Sequence, residues 1–193
     1  MSIRVFMKLI ICLVGEKGSG KGTVSRYLVE KYGARVFRFS EILDDILGRL
    51  YIPNARENQI NLAEALREKF GAQVLAQVLK KDVENDNHKL IVLDGIRHPK
   101  ELETLEQFSN FYLLYITCPL RIRYERSKKR GEKSGEDKMT FEDFKRRESA
   151  STEVWIKKIG KKARAKIDNS GTLEKLYKNV DNFITKITNQ NSY

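Results

Sequence analysis

Glycines at positions 15, 18, 20 and 22 interleave with Lys17, Ser19, Lys21 and Thr23, directly after an apolar run from Leu9 to Val14 and directly before a helical pattern. Glycines let successive backbone N–H groups turn inward, and the first turn of a helix adds partial positive charge. Lys21 supplies a mobile cation. This chemistry suits the β- and γ-phosphates of a nucleoside triphosphate, with Gly15, Lys17, Gly18, Ser19, Gly20, Lys21, Gly22 and Thr23 as the binding residues. Gly22 stands where many such loops carry a hydroxyl for Mg²⁺. The metal should therefore rest mainly on phosphate oxygens and water, with the Thr23 hydroxyl facing the α-phosphate side.

A second group lies farther along. The apolar run Leu90 to Leu93 ends in Asp94-Gly95, which puts Asp94 at the carboxyl edge of a sheet, where open α/β folds bind ligands. A carboxylate there can orient the water shell of Mg²⁺. His98 follows Arg97 and precedes Pro99, with no carboxylate or second histidine placed to make it a base, and reads as structural or substrate-lining.

The elements that must position these groups alternate along the chain. Short runs rich in Ile, Val, Leu and aromatics predict strands over 7–14, 35–39, 89–94, 111–117 and 165–168. Helical spacing predicts helices over 21–32, 40–50, 58–70 and 72–85, with a break at Gly71, then over 99–108, 120–129, 141–158 and 173–188. Thr140 and Thr172 are placed to cap the last two. The expected fold is a three-layer α/β/α P-loop NTPase domain with a five-stranded parallel sheet, one domain spanning 1–193. The polar, glycine-punctuated stretch 131–139 reads as a mobile lid or as an ordinary surface loop.

Charge is the unusual bulk property: 37 Lys and Arg against 26 Asp and Glu give a formal net charge of +11. It gathers in two runs, Arg121 to Arg130 and Lys157 to Lys166, each with six basic residues. Either could be a nucleic-acid surface or a solvated face around a polyphosphate site. The second is favoured, because aromatic residues do not interleave with the basic ones. Cys12 and Cys118 sit in apolar runs without metal-site spacing and read as buried thiols of a reducing compartment. No apolar stretch approaches a membrane span, and a cytoplasmic monomer is expected.

The GSGKGT ending of the loop resembles that of adenylate kinases and related nucleoside monophosphate kinases. The segment VLDGIRHPKELETLE is similar to the part of those enzymes built around Asp-Gly-Phe-Pro-Arg. The resemblance implies that Asp94 is the metal-side acid and that Arg97 binds the acceptor, Arg97 as a helix cap or surface charge being the alternative. YITCPLRIRYERSKKRG also resembles the family, whose helix before the lid carries two arginines toward the phosphates. Arg126 and Arg130 fall on those positions, Arg126 against the nucleobase and Arg130 at the transferring phosphoryl group. Arg146 and Arg147, beyond the lid at about 131–140, could close over the phosphates or face solvent. IDNSGTLEKL resembles the turn that lies against the adenine of ATP, here Asn169 to Gly171.

Acceptor recognition departs from the pattern. Where adenylate-specific members carry an arginine after the second strand, the run Phe39-Ser40-Glu41-Ile42-Leu43-Asp44 puts Asp44, an acid that would repel phosphate. Ser40, Arg56 and Arg67, in a helical insertion at about 40–71 that resembles a set of kinases related to deoxynucleotide and dephospho-coenzyme A kinases, would then bind the acceptor with Arg97. The resemblance implies an enzyme using ATP and Mg²⁺ to phosphorylate a small phosphorylated acceptor, a (deoxy)nucleoside monophosphate first. Dephospho-coenzyme A kinase, with Asp44 or Glu41 as base, is one alternative. An adenylate-kinase-like ATPase acting in RNA or ribosome assembly is another.

Overall fold

The computed structural model describes residues 8–130, 140–148 and 151–190. Five strands, β1 (Leu9–Val14), β2 (Arg35–Arg38), β3 (Leu90–Asp94), β4 (Phe111–Thr117) and β5 (Ala165–Asp168), form one sheet in the order β2-β3-β1-β4-β5, every pair parallel. Parallel strands need crossovers, and helices supply them. These are α1 (Lys21–Tyr32), α2 (Phe39–Arg49), α3 (Arg56–Phe70), α4 (Val74–Asn85), α5 (Pro99–Leu105), α6 (Leu120–Arg130), α7 (Phe141–Glu148), α8 (Ser151–Gly160) and α9 (Leu173–Gln190).

The two faces of β1 divide the core. Ile10, Cys12 and Val14 join Leu79, Ile91 and Leu102 under α2 to α5 and α8, while Ile11 and Leu13 join Val24, Leu28, Val92 and Val180 under α1 and α9. Successive strand residues point to opposite faces, so a strand covered on both sides must be apolar throughout, as LIICLV is. Both cysteines are buried free thiols, and burial raises the pKa of each.

The expected strands and helices occur, with shifted ends. Phe39 opens α2 instead of closing β2, α5 stops at Leu105, and α8 continues through Gly160. Residues 149 and 150, inside the helix expected over 141–158, lie outside the described residues. Gly71 does break the chain between α3 and α4, at φ 97°. Both threonine caps are present: the Thr140 hydroxyl accepts from the Asp143 N–H at 3.1 Å and the Thr172 hydroxyl from the Lys175 N–H at 3.3 Å.

A polar pin fastens α1 to α9. Asp181 accepts from Tyr27 (2.8 Å), Tyr32 (2.7 Å) and Lys31 (2.8 Å), and the Tyr27 ring stacks on Tyr177. Burial opposes the charge on Asp181, but the hydrogen bonds from Lys31, Tyr32 and Tyr27 outweigh it and hold the carboxyl below its ordinary value. Burial and the bond to Asp181 push the Tyr32 hydroxyl up to about 12. A depressed carboxylate stabilises the fold above its unfolded pKa and loses that contribution as pH falls through its folded value. A raised tyrosine contributes below its unfolded pKa and loses it as pH rises toward 12. Asp181→Ala is therefore expected to cost about 1–2 kcal/mol at pH 7 by urea denaturation. The gap to the wild type should close as pH drops through the acid range; a gap that persisted at pH 2 would contradict the pin.

Candidate functional site

The ligand face is built where strands end. β1 runs into the glycine loop and β3 ends in Asp94, while Arg38, the last residue of β2, is paired in register with Asp94. A cleft of about 750 Å³ lies over these carboxyl ends, a size that suits small ligands. Its floor is the loop, with Lys17, Gly18, Gly20, Lys21, Gly22 and Thr23 on the surface, and Asp94 and Arg38 follow in strand order. Ser40 on α2, Arg67 on α3 and Arg97 after β3 line one end; Arg126, Asn169 and Gly171 line the other.

Gly15 and Ser19 are buried members of the loop. Neither lines the cleft with a side chain, Ser19 being fully buried. A Cβ on Gly15 would stand 2.4 Å from the Ile116 carbonyl oxygen, so glycine is needed for the loop to leave β1 alongside β4. The Asn169 amide donates to the Ser19 carbonyl at 2.8 Å, so its side chain braces the loop from below. Gly20, at φ +106°, leaves room for that amide, which would be 2.1 Å from an added Cβ. Asn169→Ala is thus expected to cost about 1–3 kcal/mol of stability and to weaken binding of a non-hydrolysable ATP analogue several-fold. Unchanged analogue affinity by calorimetry would mean that the loop holds its shape alone.

Lys21 folds back on its own loop, its Nζ donating to the Gly15 carbonyl at 2.7 Å. Asp94 Oδ1 is shielded from solvent and has no hydrogen-bond partner. An orphaned carboxylate oxygen beside a phosphate loop is a donor fit for a hard cation through water. Among the described residues no group of three His, Cys, Asp or Glu could hold a metal by itself.

Several site residues escaped sequence reading. Arg123, only 4% exposed, donates to the Cys118 carbonyl at 3.0 Å and the Lys17 carbonyl at 3.1 Å, strapping the loop to the end of β4. Arg26, Arg38 and Glu64 line the cleft. Only Arg38 had a legible signal, its place at a strand's carboxyl end. Glu101 is fully buried and pairs with Arg67 at 2.7 Å.

Other expectations need correction. Asp44 does not face the incoming acceptor: it is hydrogen-bonded by the Gln59 amide and does not line the cleft. Glu41 is paired with Arg38 and, like Asp44, does not line the cleft. His98 takes the structural one of its two expected roles, capping α5 by accepting from the Lys100 N–H. Arg146 follows the solvent-facing of its two expected readings, pairing with Asp143 on an exposed face. The six basic residues from Lys157 to Lys166 are all exposed, and none lines the cleft. The side chains of Arg56, Arg130 and Arg147, and residues 131–139, where a lid or surface loop is expected, lie outside the described residues.

Sheet order, phosphate loop and cleft together define a P-loop NTPase of kinase-like architecture. The chain belongs to the AAA domain family, which it matches over residues 11–155, and to the UPF0200 proteins. The UPF0200 protein of Pyrococcus abyssi is 30% identical over 184 residues, covering 93% of this chain and 97% of that one. That of Sulfurisphaera tokodaii is 28% identical over 180 residues, covering 92% and 97%. Among solved structures, shikimate kinase from Bacteroides thetaiotaomicron superposes with a TM-score of 0.64 at 10% identity, covering 93% of this chain and 98% of that one, a likeness of fold alone. No described helix is long and apolar enough to cross a membrane.

Proposed function

We propose that this protein is a monomeric cytoplasmic phosphotransferase that uses ATP and Mg²⁺ to phosphorylate a small phosphorylated acceptor, a (deoxy)nucleoside monophosphate. The observation that carries the reading is one continuous cleft with the phosphate loop on β1, Asp94 on β3 and Arg38, Arg67 and Arg97 beyond them. Because β3 lies between β1 and β2, its carboxylate falls between the donor loop and the arginine-lined end.

Loop amides and Lys21 would hold the β- and γ-phosphates. Arg126 would lie against the nucleobase, beside the turn at Asn169 to Gly171, with Arg130 and a lid at about 131–140 closing over the phosphates. Ser40, Arg56, Arg67 and Arg97, in and near the insertion at about 40–71, would hold the acceptor phosphate in line. Mg²⁺ supplies charge neutralisation between the phosphates when bound. The rest is positioning and electrostatic stabilisation, with no covalent intermediate on the protein. Closure excludes water and so limits idle hydrolysis.

The phosphate acceptor is favoured over a ribose hydroxyl because Asp44 and Glu41, the bases expected for transfer to a hydroxyl, do not line the cleft, whereas three arginines at its acceptor end do. Incubation with ATP, Mg²⁺ and a panel of ribo- and deoxynucleoside monophosphates plus dephospho-coenzyme A, followed by mass, tests this. One monophosphate gaining a phosphoryl group is the expected result. Phosphorylation of dephospho-coenzyme A alone, or slow ATP hydrolysis with no acceptor modified, overturns it.

A further inference from the structure

We propose that Glu101 is a positioning residue for the acceptor: its buried carboxylate locks Arg67 to the loop after β3, so that the Arg67 guanidinium stands pre-set for an anionic group in the cleft. This rests on reading that end of the cleft as the acceptor-phosphate site.

Part of the arrangement is ordinary. Glu101 occupies the third position of α5, where a glutamate commonly answers the N–H of the capping residue and remains in water. Here it does more. Oε2 accepts from two backbone N–H groups, Arg97 at 2.9 Å and His98 at 3.0 Å. Oε1 accepts from an Arg67 amino group at 2.7 Å, reaching 34 residues back to α3. The side chain has no exposed surface. A carboxylate so buried requires a charged partner and saturated hydrogen bonds, and Arg67 completes both.

The constraint acts on Arg67 as well. One amino group is tied down, Nε is shielded without a hydrogen-bond partner, and the residue lines the cleft. A guanidinium already fixed loses little freedom when an anion arrives. The same carboxylate fixes the backbone of Arg97, which also lines the cleft. One residue thus sets two arginines from different elements.

Glu101→Gln separates this role from capping. The amide oxygen can still accept from Arg97 and His98, but the amide nitrogen meets the Arg67 donor with another donor. Inorganic phosphate and AMP are titrated by calorimetry into the protein saturated with a non-hydrolysable ATP analogue, so the donor site is filled. Glu101→Gln is expected to weaken both ligands about tenfold while analogue affinity stays at the wild-type value. In turnover the acceptor KM rises and kcat moves little. In an Arg67→Met background the same substitution should change phosphate affinity no further.

Unchanged phosphate affinity, equal weakening of the ATP analogue, additive effects in the double variant, or a wild type that binds neither phosphate nor AMP would each overturn the proposal. If Glu101→Gln does not fold by itself, it is read in the Arg67→Met background, where the donor–donor conflict is gone and the acceptor for the Arg97 and His98 N–H groups is kept; anion binding is expected to match Arg67→Met alone, and a further loss counts against the proposal. These readouts need no turnover. An enzyme that binds phosphate through Arg67 yet phosphorylates nothing in the panel would remove the kinase reading and leave Glu101 in its role.

Discussion

Lys21→Ala is expected to lower phosphoryl transfer by about 10²–10³-fold or more, with the melting temperature within a few degrees of the wild type. The ammonium is the mobile charge of the loop. It rests on the Gly15 carbonyl at 2.7 Å; in the proposed reaction it would turn toward the phosphates and neutralise charge that grows on the transferring group. Its absence is felt most in the transition state, so kcat should fall farther than ATP affinity. Stability should barely move. The variant loses a hydrogen bond worth about 1 kcal/mol, but a cation at the first position of α1 also opposes the helix dipole, and alanine removes that penalty. Wild-type turnover by pure Lys21→Ala protein would end the assignment of the ATP site.

Asp94→Asn should separate activity from stability even more sharply. The change is nearly isosteric and removes one charge. Asp94 Oδ1 is shielded and unpartnered in the free protein, and such a carboxylate is a strain on the fold that a ligand relieves. The variant is therefore expected to melt at the same temperature or higher. Its kcat should fall by about 10²-fold, with more Mg²⁺ needed for half-maximal rate, because the water shell of the metal loses its anionic anchor. A melting temperature several degrees lower, with activity retained, would mean instead that Asp94 is a structural ion-pair partner, most simply of Arg38, its register neighbour on β2.

These outcomes differ in how far they could be foreseen. The glycine loop and Asp94 were legible because their chemistry is local. A strand, a glycine spacing, a lysine and a helix follow one another in the chain, and an acid at the end of an apolar run marks a strand terminus whatever the rest of the fold does. Element types were legible for the same reason. Buried strands such as LIICLV and amphipathic helices such as α9 carry their period in their own residues.

The roles of polar side chains were decided by tertiary structure. Arg123, Arg126 and Arg121 stand within six residues on one helix, yet one is buried as a strap on the loop, one lines the cleft and one pairs with Glu125 on the surface. Glu101 has the sequence of a capping glutamate, and only the arrival of α3 makes it a buried anchor for Arg67. Asp44 has the position of an acid that repels phosphate, and Gln59 from the next helix draws it aside. A long polar side chain can take several partners, and which it takes depends on elements distant in sequence. The chain by itself determined the strands, the phosphate loop and the acid beside it; only packing decided which arginines meet the cleft, because burial and partners are set between elements and not along them.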